Sequence, residues 1–177
     1  MTKGGLKPEV ALVMGSESDW PLVEDAVSTL KRFGVGCEVR VLSAHRSPSR
    51  AAAFARAASG RGLRVLMAAA GGAAQLAGTM AAHTTLPVIG IPVKGGALDG
   101  MDALLSTVQM PAGIPVATVA LGRAGAVNAA LLAVQILALS RSELATRLRT
   151  YRNELQRKVA AGDRRLRNAQ QIGRAHV

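Results

Sequence analysis

Residues 9–14 read EVALVM and run straight into Gly15-Ser16-Glu17-Ser18-Asp19; residues 37–42 read CEVRVL and run into Ser43-Ala44-His45-Arg46. A short, continuous apolar run closed by glycine is the pattern of a strand buried on both faces, and such strands belong to parallel sheets. The second run alternates apolar with charged residues, as a strand nearer a sheet edge does. A helical pattern follows each polar segment. After the first, Ser18 or Asp19 can cap and Pro21 fits the first turn; Leu22, Val23, Ala26, Val27, Leu30 and Phe33 then recur at helical spacing until Gly34 and Gly36. After the second, Ser47-Pro48 opens an alanine-rich helix that reaches about Ser59.

The same alternation continues. Residues 63–70 form a third apolar run, turned by Gly71-Gly72 into an alanine-rich helix ending near Thr84. PVIGIPV at 87–93 is a fourth, followed by a glycine-rich loop at 94–100 and a helix over 101–109; PVATVAL at 115–121 is a fifth, followed by a helix over 125–139. Five strands alternating with helices imply right-handed βαβ units. The expected fold is α/β, a three-layer α/β/α sandwich with a central five-stranded parallel sheet in flavodoxin-like order, plus a C-terminal helical arm.

The helix over 126–139 (AVNAALLAVQILAL) is apolar nearly all round, so it is buried on several sides, part of it against another subunit. The organisation expected is an α/β domain over 1–140 and a helical arm over 141–161 that packs on a neighbouring subunit. The arm carries Leu144, Leu148, Tyr151 and Leu155 on one stripe, and a frayed basic tail over 162–177 follows it.

Composition narrows the function classes. The chain has 177 residues, enough for one domain with a substantial core, and only 2% are aromatic, so that core is built from Ala, Val, Leu, Ile and Met. Cys37 is alone, which excludes an internal disulfide or a cysteine-based metal site and fits a reducing, cytoplasmic setting. Residues 1–7 are too short and polar for a signal peptide. No apolar stretch reaches the roughly 18–20 residues that span a bilayer without glycine or polar breaks, so no membrane is expected. The net charge of +11 points toward nucleic acid, but residues 141–177 hold ten Lys/Arg against three Asp/Glu, so most of it sits in the arm and tail. A basic tail binds phosphates nonspecifically; with no aromatic stacking platform and no recognition motif, specific nucleic-acid binding is not expected.

The candidate site lies at the carboxyl ends of the strands, where open parallel sheets bind ligands. Gly15, Ser16, Ser18 and Asp19 offer N–H groups and hydroxyls for a phosphate at a helix N-terminus, or a carboxylate for ribose hydroxyls. Neither G-x-G-x-x-G nor G-K-[ST] occurs, so this is neither a dinucleotide fingerprint nor a Walker loop. Ser43 precedes His45, one of three histidines, whose imidazole titrates near neutrality and suits proton transfer. Arg46 beside it can clamp a phosphate through two parallel hydrogen bonds. Gly71 and Gly72 let backbone approach a flat ligand. Gln109-Met110-Pro111 and Asn128 are lesser candidates.

Taken in order, VMGSESDW, VLSAHRSP, AAGGAAQLAG, PVIGIPV, LDGMDALLSTVQMPAGIPVATVA and AVNAALLA resemble the class I N5-carboxyaminoimidazole ribonucleotide mutases of bacterial purine synthesis, over about residues 9–140. The resemblance implies an isomerase that uses no metal or cofactor. A small-molecule ribonucleotide loses its carbamate as carbon dioxide in a closed pocket, and the nucleophilic ring carbon takes that carbon dioxide up. It further implies that His45 moves the proton at the ring carbon, that Ser16, Asp19 and Arg46 hold ribose and phosphate, and that Ser18, Ser43 and the Gly71-Gly72 loop form the pocket wall. The implied assembly is a homo-octamer.

One position departs from that pattern. Where the family reads G-G-A-A-H-L-P-G, this chain has Gly71-Gly72-Ala73-Ala74-Gln75-Leu76-Ala77-Gly78. A histidine that orients the migrating carboxylate has become Gln75, which donates a hydrogen bond but carries no charge and relays no proton. His83 is no substitute, since eight residues of helix rise about 12 Å. The expectation is that Gln75 keeps the orienting hydrogen bond and the mutase reaction. The alternatives are a paralogue acting on a related heterocyclic ribonucleotide, or a non-catalytic nucleotide-binding protein.

Overall fold

Three neighbouring strands end level with one another, and that register places the site. Met14 pairs with Val41 on one side and with Ala69 on the other, so the chain leaves β1 (Pro8–Met14), β2 (Gly36–Val41) and β3 (Val65–Ala70) at one height. The computed structural model describes residues 6–174, with side chains through residue 170. With β4 (Val88–Pro92) and β5 (Ala117–Thr118) the sheet is wholly parallel in the order β2-β1-β3-β4-β5, the expected flavodoxin-like order. The helices are α1 (Trp20–Arg32), α2 (Pro48–Ala57), α3 (Leu76–Ala81), α4 (Met101–Val108), α5 (Gly122–Ala138) and α6 (Ser142–Arg174).

The apolar runs do what such runs require. Val10 to Met14 and Val65 to Ala69 are buried along their whole length, because helices cover both faces of the inner strands. Leu66, Met67, Met80 and Ile89 fill the space that aromatic residues occupy elsewhere, with Phe33 the one large aromatic among the fully buried side chains of the described residues. β2 is an edge strand, as its alternation indicated. On one face Glu38 joins Arg40 and Arg61, whose guanidiniums stand 5.5 and 5.1 Å from the Phe54 ring of α2. On the other, Val39 and Val41 are exposed.

Three elements differ from expectation. β5 pairs only Ile89 with Ala117 and Gly90 with Thr118, with one further bond from the Val119 N–H to the Gly90 carbonyl oxygen. Pro115 has no N–H to give the ladder, and an edge strand has no second partner. α3 is short because Gly72 adopts φ +59° and the Gln75 N–H turns back to the Ala73 carbonyl oxygen at 2.8 Å, which delays the helix to Leu76.

The third concerns the C-terminus. The chain divides into two units, Met1–Leu137 and Ala138–Val177. In the second, α6 passes the boundary expected at 161/162 as unbroken helix to Arg174; residues 175–177 lie outside the described ones. A single glycine, Gly162, costs about 1 kcal/mol in a helix and does not end it among good helix formers. Just beyond it, Asp163 and Arg167 form an ion pair one turn apart at 3.0 Å. Leu155, Val159 and Leu166 are exposed along this helix. Among the described residues no helix is long and apolar enough to cross a membrane.

Candidate functional site

The loop after β1 is a tightly bonded turn. Ser16 Oγ accepts from the Ser18 N–H at 3.3 Å, and Asp19 Oδ2 accepts from the Ser16 N–H at 3.2 Å, closing a reciprocal cap over one turn of 3₁₀ helix (Glu17–Asp19). Ser16, not Ser18 or Asp19, is therefore the capping residue, and Asp19 precedes α1 with no cap bond of its own. Ser18 Oγ–H donates to Ser16 Oγ at 2.8 Å. Burial pushes the Asp19 carboxyl above its usual 3.8, while the Ser16 N–H and the Arg46 guanidinium pull it back.

The loop after β2 is held as firmly. Ser47 Oγ accepts from the Ser43 N–H and donates to the Ser43 carbonyl oxygen, both at 3.1 Å, and Ser43 Oγ accepts from the Arg46 N–H at 3.1 Å. The Ser43 hydroxyl thus shapes its own loop, and His45 is left exposed at the crest. Arg46 Nη2–H donates to the Gly15 carbonyl oxygen at 3.0 Å and joins the two loops.

The third loop reaches the same end of the sheet. The Gly15 N–H donates to the Ala69 carbonyl oxygen at 3.1 Å, two residues before Gly71, and Gly71, Gly72 and Gln75 follow from there. Gln75 is exposed at the start of α3. With strands about 4.8 Å apart, the ends of β2, β1 and β3 span roughly 10 Å, the scale of a ribonucleotide. The main site residues expected from sequence leave these three strand ends, at the β1/β3 junction where the strand order reverses.

Other groups lie elsewhere. Asn128 is exposed on α5, and Gln109-Met110-Pro111 belongs to the connection entering β5. Met110 packs on α3, where a Cβ on Gly78 would stand 3.0 Å from its sulfur. His83 follows the last turn of α3, its ring Nδ1 bonded to the Thr79 carbonyl oxygen at 2.8 Å. It lines a cavity of about 960 Å³ with Arg56 and Val88, at the amino ends of the strands and so opposite the site. Cys37 is chemically quiet, its thiol pushed up to about 11 by burial. Two features of the rim escaped the sequence reading. Ser106 Oγ lies 3.3 Å from the Gly72 carbonyl oxygen and 2.7 Å from that of Asp102, and Lys94 pairs with Asp99 at 2.9 Å. A serine one helical turn after a carbonyl is a common local bond, so only the fold reveals its second partner.

Fold and site together define a flavodoxin-like α/β protein whose polar loops gather at the switch point of its sheet, the place where open sheets of this kind bind ligands. Known proteins narrow this. Residues 9–158 match the family described as AIR carboxylase. The N5-carboxyaminoimidazole ribonucleotide mutase of Mycobacterium tuberculosis is 52% identical over 166 residues, 94% of each chain. The Brucella melitensis protein of the same name is 54% identical over 152 residues, 86% of this chain and 94% of that one. Among solved structures, Treponema denticola PurE has a TM-score of 0.79 at 29% identity, covering 90% of this chain and 98% of that one. The chain belongs to the AIR carboxylase family.

Proposed function

We infer that this chain converts N5-carboxyaminoimidazole ribonucleotide into 4-carboxyaminoimidazole ribonucleotide, an isomerisation in purine synthesis. Identity of about half with curated mutases, over nearly the whole of both chains, carries the reading. The Arg46–Gly15 bond supports it by bringing a histidine, an arginine and a carboxylate to one opening.

In this mechanism Arg46 and the Ser16 loop grip the phosphate and Asp19 the ribose hydroxyls, with Gly15, Ser18, Ser43, Gly71 and Gly72 as the wall. The carbamate N–C bond breaks with its electron pair going to nitrogen, which takes a proton. The ring carbon then donates a pair to carbon dioxide, forming the new C–C bond, and His45 removes the proton from that carbon. One proton enters and one leaves, so an imidazole suits the exchange near neutral pH. Gln75 takes the place of the family's orienting histidine and keeps its hydrogen bond to the migrating carboxylate. The protein works in the cytoplasm as a homo-oligomer, an octamer by analogy with the family. Exposed Leu155, Val159 and Leu166 on α6 support such an arm contact, and sedimentation tests it.

The test of the reaction mixes purified protein with the carbamate substrate and follows the ultraviolet absorbance of the carboxylated imidazole, beside His45→Asn. The wild type is expected to turn over and the variant to bind without turnover. An inactive wild type that still binds the ribonucleotide tightly favours a non-catalytic protein instead. Full activity in His45→Asn removes His45 from its role.

A further inference from the structure

Ser47 stands where a serine ordinarily caps a helix. It directly precedes α2, with Pro48 in the first turn, and its carbonyl oxygen accepts from the Arg50 N–H at 3.1 Å and the Ala51 N–H at 3.2 Å. A serine side chain at this point normally turns forward and accepts from an N–H of the first turn. Ser16, at the corresponding place after β1, does so. Ser47 makes no such bond, and its hydroxyl faces back into the preceding loop. The helix can spare it, because Pro48 brings no N–H that needs a partner.

In the loop the hydroxyl makes two bonds to one residue. It accepts from the Ser43 N–H and donates to the Ser43 carbonyl oxygen, both at 3.1 Å, and the Ser47 N–H donates to that same oxygen at 3.0 Å. Its single proton and one lone pair are thus both committed to the residue four positions back. Ser43 Oγ accepts from the Arg46 N–H at 3.1 Å, and the Leu42 N–H just before it is tied to the Met14 carbonyl oxygen at 2.9 Å. Residues 43–47 therefore form a closed loop anchored to the end of β1, with His45 at its midpoint. These bonds hold backbone, and the His45 imidazole takes its place from that backbone.

We propose that Ser47 is a positioning residue for the proton transfer: its hydroxyl holds the 43–47 loop closed and so keeps the His45 imidazole at the ring carbon, in preference to capping α2. This rests on the mutase reading above, in which His45 removes the proton from the ring carbon once the C–C bond has formed. In Ser47→Ala the half-buried Ser43 N–H loses its acceptor, and the loop relaxes to find another. A misplacement of about 1 Å at a reacting group costs on the order of 10²-fold in rate.

The test compares wild type, Ser47→Ala, Ser47→Thr and Ala53→Gly, using ordinary substrate and substrate deuterated at the receiving ring carbon. Ala53 lies on α2, so its glycine variant weakens that helix without touching the loop. Ser47→Ala is expected to lose roughly ten- to a hundredfold in kcat with KM within about threefold of wild type. Its deuterium isotope effect should be larger, because removal of that hydrogen has become the slower step. Ser47→Thr keeps the hydroxyl and should stay within a few fold of wild type; Ala53→Gly should do the same with its isotope effect unchanged. Wild-type kcat in Ser47→Ala overturns the proposal. So does a fall at unchanged isotope effect, or an equal fall in Ala53→Gly, since then only folded protein or helix has been lost. Hydrogen exchange read by mass spectrometry needs no turnover: in Ser47→Ala, amides 43–47 should exchange several-fold faster and those of 52–57 at the wild-type rate. Unchanged exchange at 43–47 overturns the proposal even where kcat falls. A wild type without turnover removes the mutase reading and Ser47's part in it, while the exchange still decides whether Ser47 holds the loop.

Discussion

The guanidinium of Arg46 donates through Nη2 to the carbonyl oxygen of Gly15 at 3.0 Å, across 31 positions of sequence. This bond ties the loop that presents His45 to the loop that presents Ser16 and Asp19. It also sets the charge beside Asp19, whose carboxyl Arg46 helps keep ionised against burial. The remaining N–H groups of the guanidinium stay available for a phosphate, so one side chain both builds the pocket and occupies its rim.

Arg46→Lys is therefore not conservative. A lysine supplies the charge but cannot bond the Gly15 carbonyl oxygen and a phosphate in one planar fork. Charged hydrogen bonds are worth about 1.5–3 kcal/mol, so a fall of roughly ten- to a hundredfold in kcat/KM is expected. Steady-state kinetics should place most of it in KM. A fall confined to kcat would assign Arg46 to the chemical step instead.

Asp19 links stability to pH in a defined direction. Its folded-state pKa lies above the usual 3.8, burial being the largest cause, so the folded protein holds this proton more tightly than the unfolded chain. The group's contribution to stability is thus present below the unfolded value and lost as pH rises through the folded one. Asp19→Asn retains an oxygen for the Ser16 N–H and removes the charge. Its melting temperature is expected to exceed that of wild type at neutral pH, with the gap narrowing toward 3.8. Ribonucleotide affinity falls at the same time by roughly tenfold or more, from the loss of charge-assisted bonds. Thermal melts across pH, paired with KM, check both halves; a variant less stable than wild type at neutral pH contradicts the first.

Much of this was legible in the chain. The runs EVALVM and PVIGIPV announce buried parallel strands because their residues from Val10 and from Val88 onward are packed between covering helices. The loops 15–19 and 43–46 stand out because polar groups cluster where such strands end. Part of what escaped notice depends on residues far apart in sequence. Ser106 reaching Gly72 is visible only once α4 is folded back onto the sheet. β5 shrinks to two residues because of what it lacks at the sheet edge, and α6 continues past Gly162 because its neighbours outweigh one glycine.

Gly90 joins the core to the site. A Cβ there would fall on the Thr107 methyl group and lie 2.9 Å from Val116 Cγ1. Thr107 is held in place, donating to the Ala103 carbonyl oxygen at 2.7 Å and accepting from Thr118 Oγ1 at 3.3 Å. Overpacking of this kind costs about 1–3 kcal/mol, and Gly90→Ala is expected to lower the urea midpoint by that equivalent with the slope unchanged. Because displacement of α4 also disturbs Ser106 at Gly72, KM should rise in the surviving folded protein.

Gln75 carries the sharpest test of the reaction itself. If its amide supplies only an orienting hydrogen bond, then Gln75→His exchanges one such bond for another. A bond of that kind is worth about 0.5–1.5 kcal/mol, so kcat should change by no more than roughly tenfold. A missing acid–base relay is a different magnitude, about 10²–10⁴ in rate. Measuring kcat for wild type, Gln75→His and Gln75→Ala separates the two. The expected order is Gln75→His within tenfold of wild type and Gln75→Ala well below both. A rise of several hundredfold in Gln75→His would mean that the native chain performs a different step, and that the pocket was retuned at an exposed position just before α3.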